Sequence, residues 1–308
     1  MNVMVIGGDG FIGSHLVDRL VELGHRITVF DRCPYLVTRN LEHQKDAIQV
    51  ISGEFANKVD LKKALCGNDI VFHFVWVSTP ITSWNDPYLE VDENIRLSVQ
   101  LAEVAVESGI KKIVFPSSGG TVYGAQQHSK VNESCLPSPF SPYGVAKLAV
   151  EHFLNYYRKS ANLAYDVYRI GNAFGPRQPV SSPQGVISVW MSKILSGEKI
   201  TVYGDHETLR DYVYVKDIAD LMAYSVTDLN QSATMNIGSG RGISIMELLD
   251  IFKRVIDMPF KYEIRPRRPS DNSSIVLDNS LILSHFPSFS FSDLEEKILE
   301  TWQFLRKM

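Results

Sequence analysis

Apolar residues along the chain follow two alternating periods. Val3–Ile6 is a short continuous run of the kind a strand buried on both faces shows. Phe11–Leu23 follows with apolar side chains at three- and four-residue spacing, until Gly24 stops it. Ile27–Phe30, Ile70–Val75 and Lys112–Phe115 read as further strands. Between the last two lies a long helix, from about Tyr88 to Ser108, closed by Gly109. Another helix runs from about Tyr143 to Lys159 after the turn-rich stretch Pro137–Pro142, and Tyr165–Arg169 is strand-like again. Strand and helix in alternation predict an α/β fold with a doubly wound parallel sheet of Rossmann type.

Past Gly175-Pro176 the segments shorten. The pattern predicts a helix near Gly185–Leu195, strands near Lys199–Tyr203 and Asp211–Val215, and helices near Lys216–Asp228 and Ser244–Asp257. Arg265–Pro269 reads as extended and the tail from Phe291 as helical. The expected division is a nucleotide-binding domain over 1–168, to which the chain returns around 211–236, and a smaller mixed α/β substrate domain over 169–308.

Composition narrows the function. At 308 residues, 44% hydrophobic and 21% charged, the chain is an ordinary globular one and not a disordered or fibrous one. The net charge is −4, and no basic cluster exceeds Arg265, Arg267 and Arg268, so neither nucleic acid nor an anionic membrane is an expected partner. Apolar runs such as Ile70–Val77 fall well short of the ~20 residues of a membrane span. Met1–Gly7 reads as a folded strand, so no export signal is expected. Cys33, Cys66 and Cys135 are too few and too scattered for a disulfide framework or a metal site, and they fit a reducing cytoplasm.

Two constellations carry chemistry. Gly7-Gly-Asp-Gly10-Phe-Ile-Gly13 sits between the first strand and the first helix, where glycines permit a tight turn and close approach to a pyrophosphate. Asp31 ends the next strand, where an acid accepts ribose hydroxyls and repels the extra phosphate of NADP; Arg32 beside it works against that discrimination. Tyr143 and Lys147, four residues apart, share one helical face. An ammonium there stabilises phenolate and makes the tyrosine a usable acid or base. Alone, such a pair more often lines a solvated helix face.

Together these motifs, with His73 after a strand and Ser117-Ser118 after another, resemble the extended short-chain dehydrogenase/reductase family. Within it the chain is most similar to the nucleotide-sugar epimerase/dehydratase branch that holds the UDP-glucose 4-epimerases. The resemblance extends through Val122-Tyr123-Gly124, Arg169-Ile-Gly-Asn172-Ala-Phe-Gly-Pro176, Leu209-Arg210-Asp211-Tyr212 and Arg267-Arg268-Pro-Ser-Asp271.

It implies NAD as cofactor and a nucleotide-sugar substrate, a UDP-hexose inverted at C4 through a 4-keto intermediate. Gly7, Gly10, Phe11, Ile12 and Gly13 would hold the pyrophosphate, Asp31 and Arg32 the adenosine ribose, and Glu54 and Phe55 the adenine. Phe74, Val75, Asn94, Ser117 and Arg169 would complete the cofactor site. Tyr143 would be the base and Lys147 its activator, also bonding the nicotinamide ribose. Asn172, Arg210, Arg268 and Asp271 would hold the sugar nucleotide.

The sequence departs from the family pattern twice. The family's catalytic serine or threonine aligns on Gly119, so either Ser118 or Thr121 substitutes, Ser118 being preferred as the closer to the strand end, or Tyr143 acts without one. Bulky Phe74-Val75-Trp76 follows His73 where small residues are usual, and His73 itself reads as a packed structural histidine. A 4,6-dehydratase would need acids at Gly120 and Thr121, which argues against that reading. A 4-ketoreductase and a non-catalytic NAD-binding module are also compatible with these motifs. Ile275, at a position lining the sugar pocket, does not distinguish N-acetylated sugars. The resemblance also implies a homodimer through the two long helices, where Val91, Ile95, Val99, Val150, Phe153 and Tyr157 either face a partner or face the parent sheet.

Overall fold

The chain begins with β1 (Asn2–Ile6), α1 (Phe11–Glu22), β2 (Arg26–Asp31), β3 (Ile48–Ser52), α2 (Lys58–Leu65) and β4 (Ile70–His73). It continues through α3 (Arg96–Glu107), β5 (Lys112–Ser118), the one-turn α4 (Gly119–Val122), α5 (Pro142–Ala161) and β6 (Ala164–Ile170). The second half comprises β7 (Asn172–Phe174), α6 (Val186–Leu195), β8 (Ile200–Tyr203), β9 (Leu209–Tyr214), α7 (Val215–Met222) and β10 (Ala233–Ile237). It ends with β11 (Gly242–Ser244), α8 (Ile245–Val255), β12 (Tyr262–Arg265), α9 (Ser280–His285) and α10 (Leu294–Leu305). This computed structural model describes all residues except 33–38, 127–129, 181–184, 205, 267–273 and 308. Arg268 and Asp271 therefore lie outside the described residues.

Seven strands form one parallel sheet in the order β10-β6-β5-β4-β1-β2-β3. β1 is an interior strand, with Val3 paired to both Ile27 and Ile70, and its Val3–Ile6 run is buried on both faces. That is why these residues read as a continuous apolar run rather than an alternation. On one face Leu16, Val17 and Leu20 of α1 pack with Ile218, Leu221 and Met222 of α7. On the other, Leu61 and Leu65 of α2, Leu97 and Leu101 of α3, and Val150 and Leu154 of α5 cover the sheet. The chain crosses back over residues 215–237, where α7 lies against α1 and β10 extends the sheet beside β6.

The order of strands reverses between β1 and β4, and a crevice outside the carboxyl ends of strands at such a point is where α/β sheets bind ligands. The second half supplies a separate core, in which Trp190, Met191, Phe252 and Trp302 pack around a three-stranded sheet (β11-β9-β7) and a two-stranded one (β12-β8). Phe11 and Ile12, at the start of α1, pack against this second core and so fix it beside the crevice.

Candidate active site

At the end of β1 the backbone turns at Gly7 with φ +76°, a conformation that favours glycine. Its N–H donates to the Phe30 carbonyl, and its own carbonyl accepts from Gly10 N at 3.1 Å. A Cβ on Gly7 would stand 3.1 Å from Val75 N, so the turn after β1 touches the loop after β4. A Cβ on Gly13 would meet the Gly7 carbonyl oxygen at 2.5 Å, which brings α1 directly onto the turn. α1 starts without a side-chain cap, and its first-turn amides are left to an anion.

Beside this cradle the Asp31 carboxylate accepts from Asp9 N and Arg32 N. Burial, then the nearby Asp9 charge, raises its pKa. Asp9 in turn accepts from Arg39 N and Asn40 N. Arg32 is ion-paired to Glu54 at 3.0 Å, so its guanidinium is engaged with a neighbour.

Ser141 caps α5 by accepting from Gly144 N, with Pro142 in the first turn, and this sets Tyr143 and Lys147 at the helix start. Lys147 is buried, and its Nζ donates to the Pro116 carbonyl of β5 at 2.9 Å. The Trp76 indole lies over the same Nζ, 3.7 Å from the ring centroid, and meets the Tyr143 ring edge-on at 5.8 Å. Burial brings Lys147 down to about 7, against the opposing charges of Glu90 and Glu151. Burial, together with the Glu90 charge, pushes the Tyr143 hydroxyl well above an ordinary phenol.

A Cβ on Gly144 would meet the Thr121 carbonyl at 2.7 Å, so the end of α4 abuts the residue after Tyr143. Thr121 Oγ1 is buried without a hydrogen-bond partner among the described residues. At Gly119 the space a side chain would need is filled by Leu277, whose Cδ1 would lie 2.6 Å from an added Cβ. Leu277 is held there by its backbone N–H, which donates to Asp211.

A glycine cradle at the strand-order reversal thus stands next to a Tyr-x-x-x-Lys pair whose lysine is buried. The model of the NAD dependent epimerase/dehydratase family matches residues 3–238. The chain belongs to that family. Among its relatives, the UDP-glucose 4-epimerase of Mycolicibacterium smegmatis is 31% identical over 99% of both chains. The UDP-glucose 4-epimerase of Thermus thermophilus, solved in complex with NAD, superposes with a TM-score of 0.90 at 29% identity, covering 99% of each chain. The UDP-N-acetylglucosamine 4-epimerase of Methanobrevibacter ruminantium, solved with UDP-N-acetylmuramic acid, gives 0.90 at 32% identity, covering 100% of this chain and 99% of that one.

NAD is the cofactor of this epimerase/dehydratase family, and the cradle fits it: a glycine turn, an uncapped helix start and a carboxylate at the end of β2. Several residues that the resemblance implies for cofactor contact have partners within the protein. Ser117 donates to Glu151 at 2.5 Å, and Arg169 grips the same carboxylate, in a buried triad. Phe55 is in the core, 5.0 Å from the His73 ring. Asn94 accepts from Val77 N and donates to Ser78 and Glu90, so it fastens the loop after β4.

His73 is buried, bonded to Ser98, and brought down to about 3 by burial, which makes it a neutral packing residue. Asn172 donates to the Asp211 carbonyl, and Arg210 Nη1 donates to the Leu209 carbonyl. Glu90, Leu277 and the Asp211 carboxylate gain their places in the site only through tertiary packing. Phe74 and Val75 approach the Gly7 turn through their backbone.

Proposed function

We propose that this protein inverts C4 of a UDP-hexose through a 4-keto intermediate. The observation that carries the reading is the Tyr143–Lys147 pair at the carboxyl end of the sheet, joined to the glycine cradle through the Val75–Trp76 loop. Bound NAD supplies the hydride acceptor and donor for C4.

Tyr143 takes the O4 proton as hydride leaves C4 and returns it when the keto group is reduced on its other face. Lys147, while cationic, stabilises the Tyr143 phenolate. Thr121 supplies the hydroxyl that Gly119 lacks; both it and Ser118 are half-buried, and the buried Thr121 Oγ1, without a partner among the described residues, supports Thr121 over the Ser118 that the sequence favoured. A hydrogen bond from it strengthens as charge develops on the C4 oxygen. Asn172, Arg210, Arg268 and Asp271 hold the sugar nucleotide, the arginines suiting the diphosphate. Gly120 and Thr121 offer no acid for a dehydratase.

We further propose a cytoplasmic homodimer whose products supply saccharide synthesis. Tyr88, Val91, Phe153 and Tyr156 leave an exposed apolar surface on the two long helices, which supports the pairing, whereas Val150 belongs to the core.

Purified protein incubated with UDP-glucose, UDP-galactose and their N-acetyl forms, without added cofactor, tests the reaction. Interconversion of one C4 pair on chromatography is expected. Loss of water from the substrate, or no change in any of the four, rejects it.

A further inference from the structure

The long helix is not α-helical throughout: after Tyr88 and Leu89 its hydrogen-bond pattern changes. Residues Glu90–Ile95 form a π-helical turn that leads into α3. Such turns are rare and concentrate at functional sites. This one carries Glu90, which is only 2% exposed. Its Oε2 accepts from Asn94 Nδ2 at 2.8 Å, while Oε1 is buried with no hydrogen-bond partner among the described residues. A half-satisfied buried carboxylate is costly unless a cation stands close by.

A continuous set of contacts runs from it to the catalytic lysine. Asn94 Nδ2 also donates to Ser78 Oγ at 3.1 Å, Ser78 Oγ accepts from Trp76 Nε1 at 3.0 Å, and the Trp76 ring covers Lys147 Nζ. The groups that face Lys147 are Tyr143 and Glu151 on its own helix, His73 on β4 and Glu90 from the π-turn. His73 is neutral. Glu151 is already bonded by both Arg169 and Ser117. Among the described residues, that leaves Glu90 as the carboxylate available to Lys147.

We propose that Glu90 is a positioning residue for the catalytic pair, a buried counter-charge to Lys147. Asn94 and Ser78 hold it in place, and the Trp76 indole is the second cation-stabilising face. The inference rests on the catalytic reading of Tyr143 and Lys147 above. Its physical content is that the pocket is apolar enough to favour a neutral amine, which could not stabilise a phenolate. Glu90 and the indole face oppose that tendency.

The sign of the test follows. Removing a negative charge makes both Lys147 and Tyr143 easier to deprotonate, so both limbs of the pH–rate profile move to lower pH. With the UDP-sugar that the parent turns over, Glu90→Gln is expected to shift both limbs downward by ~0.5–1 pH unit. Activity at the alkaline end then falls severalfold more than activity near neutrality. Glu90→Asp, which keeps the charge, should restore the profile.

A second readout needs no turnover. The emission difference between the parent and Trp76→Phe should titrate with Lys147, and its midpoint should fall in Glu90→Gln. A uniform loss of rate with unmoved limbs, or an unmoved emission midpoint, overturns the proposal. If instead Tyr143→Phe turns over at the parental rate, the catalytic reading fails, while the emission titration still reports the Glu90–Lys147 coupling.

Discussion

At the scale of single residues, the site turns on which hydroxyl stands near the C4 oxygen. Tyr143→Phe keeps the ring that packs against Trp76 and removes only the hydroxyl proposed as the acid–base group. A rate loss of ~10²–10⁴-fold is expected, with NAD still co-purifying, since loss of a positioned general base costs about that much. Thr121→Val should lower the rate substantially and Ser118→Ala mildly; the reverse order would move the role to Ser118. The Gly119 departure has a steric counterpart, because Leu277 fills the space a serine side chain would take. Gly119→Ser should therefore destabilise the fold by about 1–3 kcal/mol through overpacking. Leu277→Ala in the same chain should recover part of that loss, as read from urea midpoints. If Gly119→Ser unfolds at the parental midpoint, Leu277 does not occupy that space.

At the scale of elements, the tie between α5 and β6 is ionic and buried. Glu151 accepts from Arg169 and Ser117, and all three are less than 10% exposed. Glu151→Ala would strand the Arg169 guanidinium in the interior, and a loss of about 3–5 kcal/mol in unfolding free energy is expected. α10 is held differently. Burial would raise Glu300, but hydrogen bonds from Lys216, Tyr214 and Lys297 outweigh it and hold the carboxyl at about 2. Because the folded value lies below the ordinary 4.5, this contribution is present above pH 4.5 and is lost as the pH falls through 2. Glu300→Gln should thus flatten the acid side of the stability curve between those limits; an unchanged slope there would refute it.

The elements that set this frame were legible because each carries its own signal. Val3–Ile6 is an unbroken apolar run, and Ser141-Pro142 caps and starts α5. The edge strand β3 was not legible, since Ile48–Ser52 is half-exposed and weakly patterned. Nor was the burial of Glu90, which depends on a π-turn that side-chain spacing does not encode. The placement of Leu277 over Gly119 depends on Asp211, 66 residues away in the chain, and no local pattern could announce it.

At the scale of the whole molecule, the question is what covers the outer face of the two long helices. The six residues named from periodicity do not behave alike. Val150 is core, Ile95 and Tyr157 pack onto the same cluster, Val99 is half-buried, and Val91 and Phe153 are 54% and 40% exposed. Tyr88 and Tyr156, at 77% and 57%, enlarge the exposed apolar surface on the same two helices. Exposed apolar side chains on two helices that pack on each other fit an interaction surface. A second copy meeting it about a two-fold axis gives a closed assembly in which each helix pair packs on its own image. Light scattering at micromolar concentration should then give about 69 kDa, twice the 34.7 kDa chain. Phe153→Asp places a charge in that surface while leaving the sheet-facing residues Val150 and Leu154 untouched. It should halve the scattering mass with little change in the monomer's intrinsic stability, because an exposed substitution away from the core usually costs under about 0.5 kcal/mol. A parental mass near 35 kDa, or a variant whose mass stays at the dimer value, would assign these side chains to solvent.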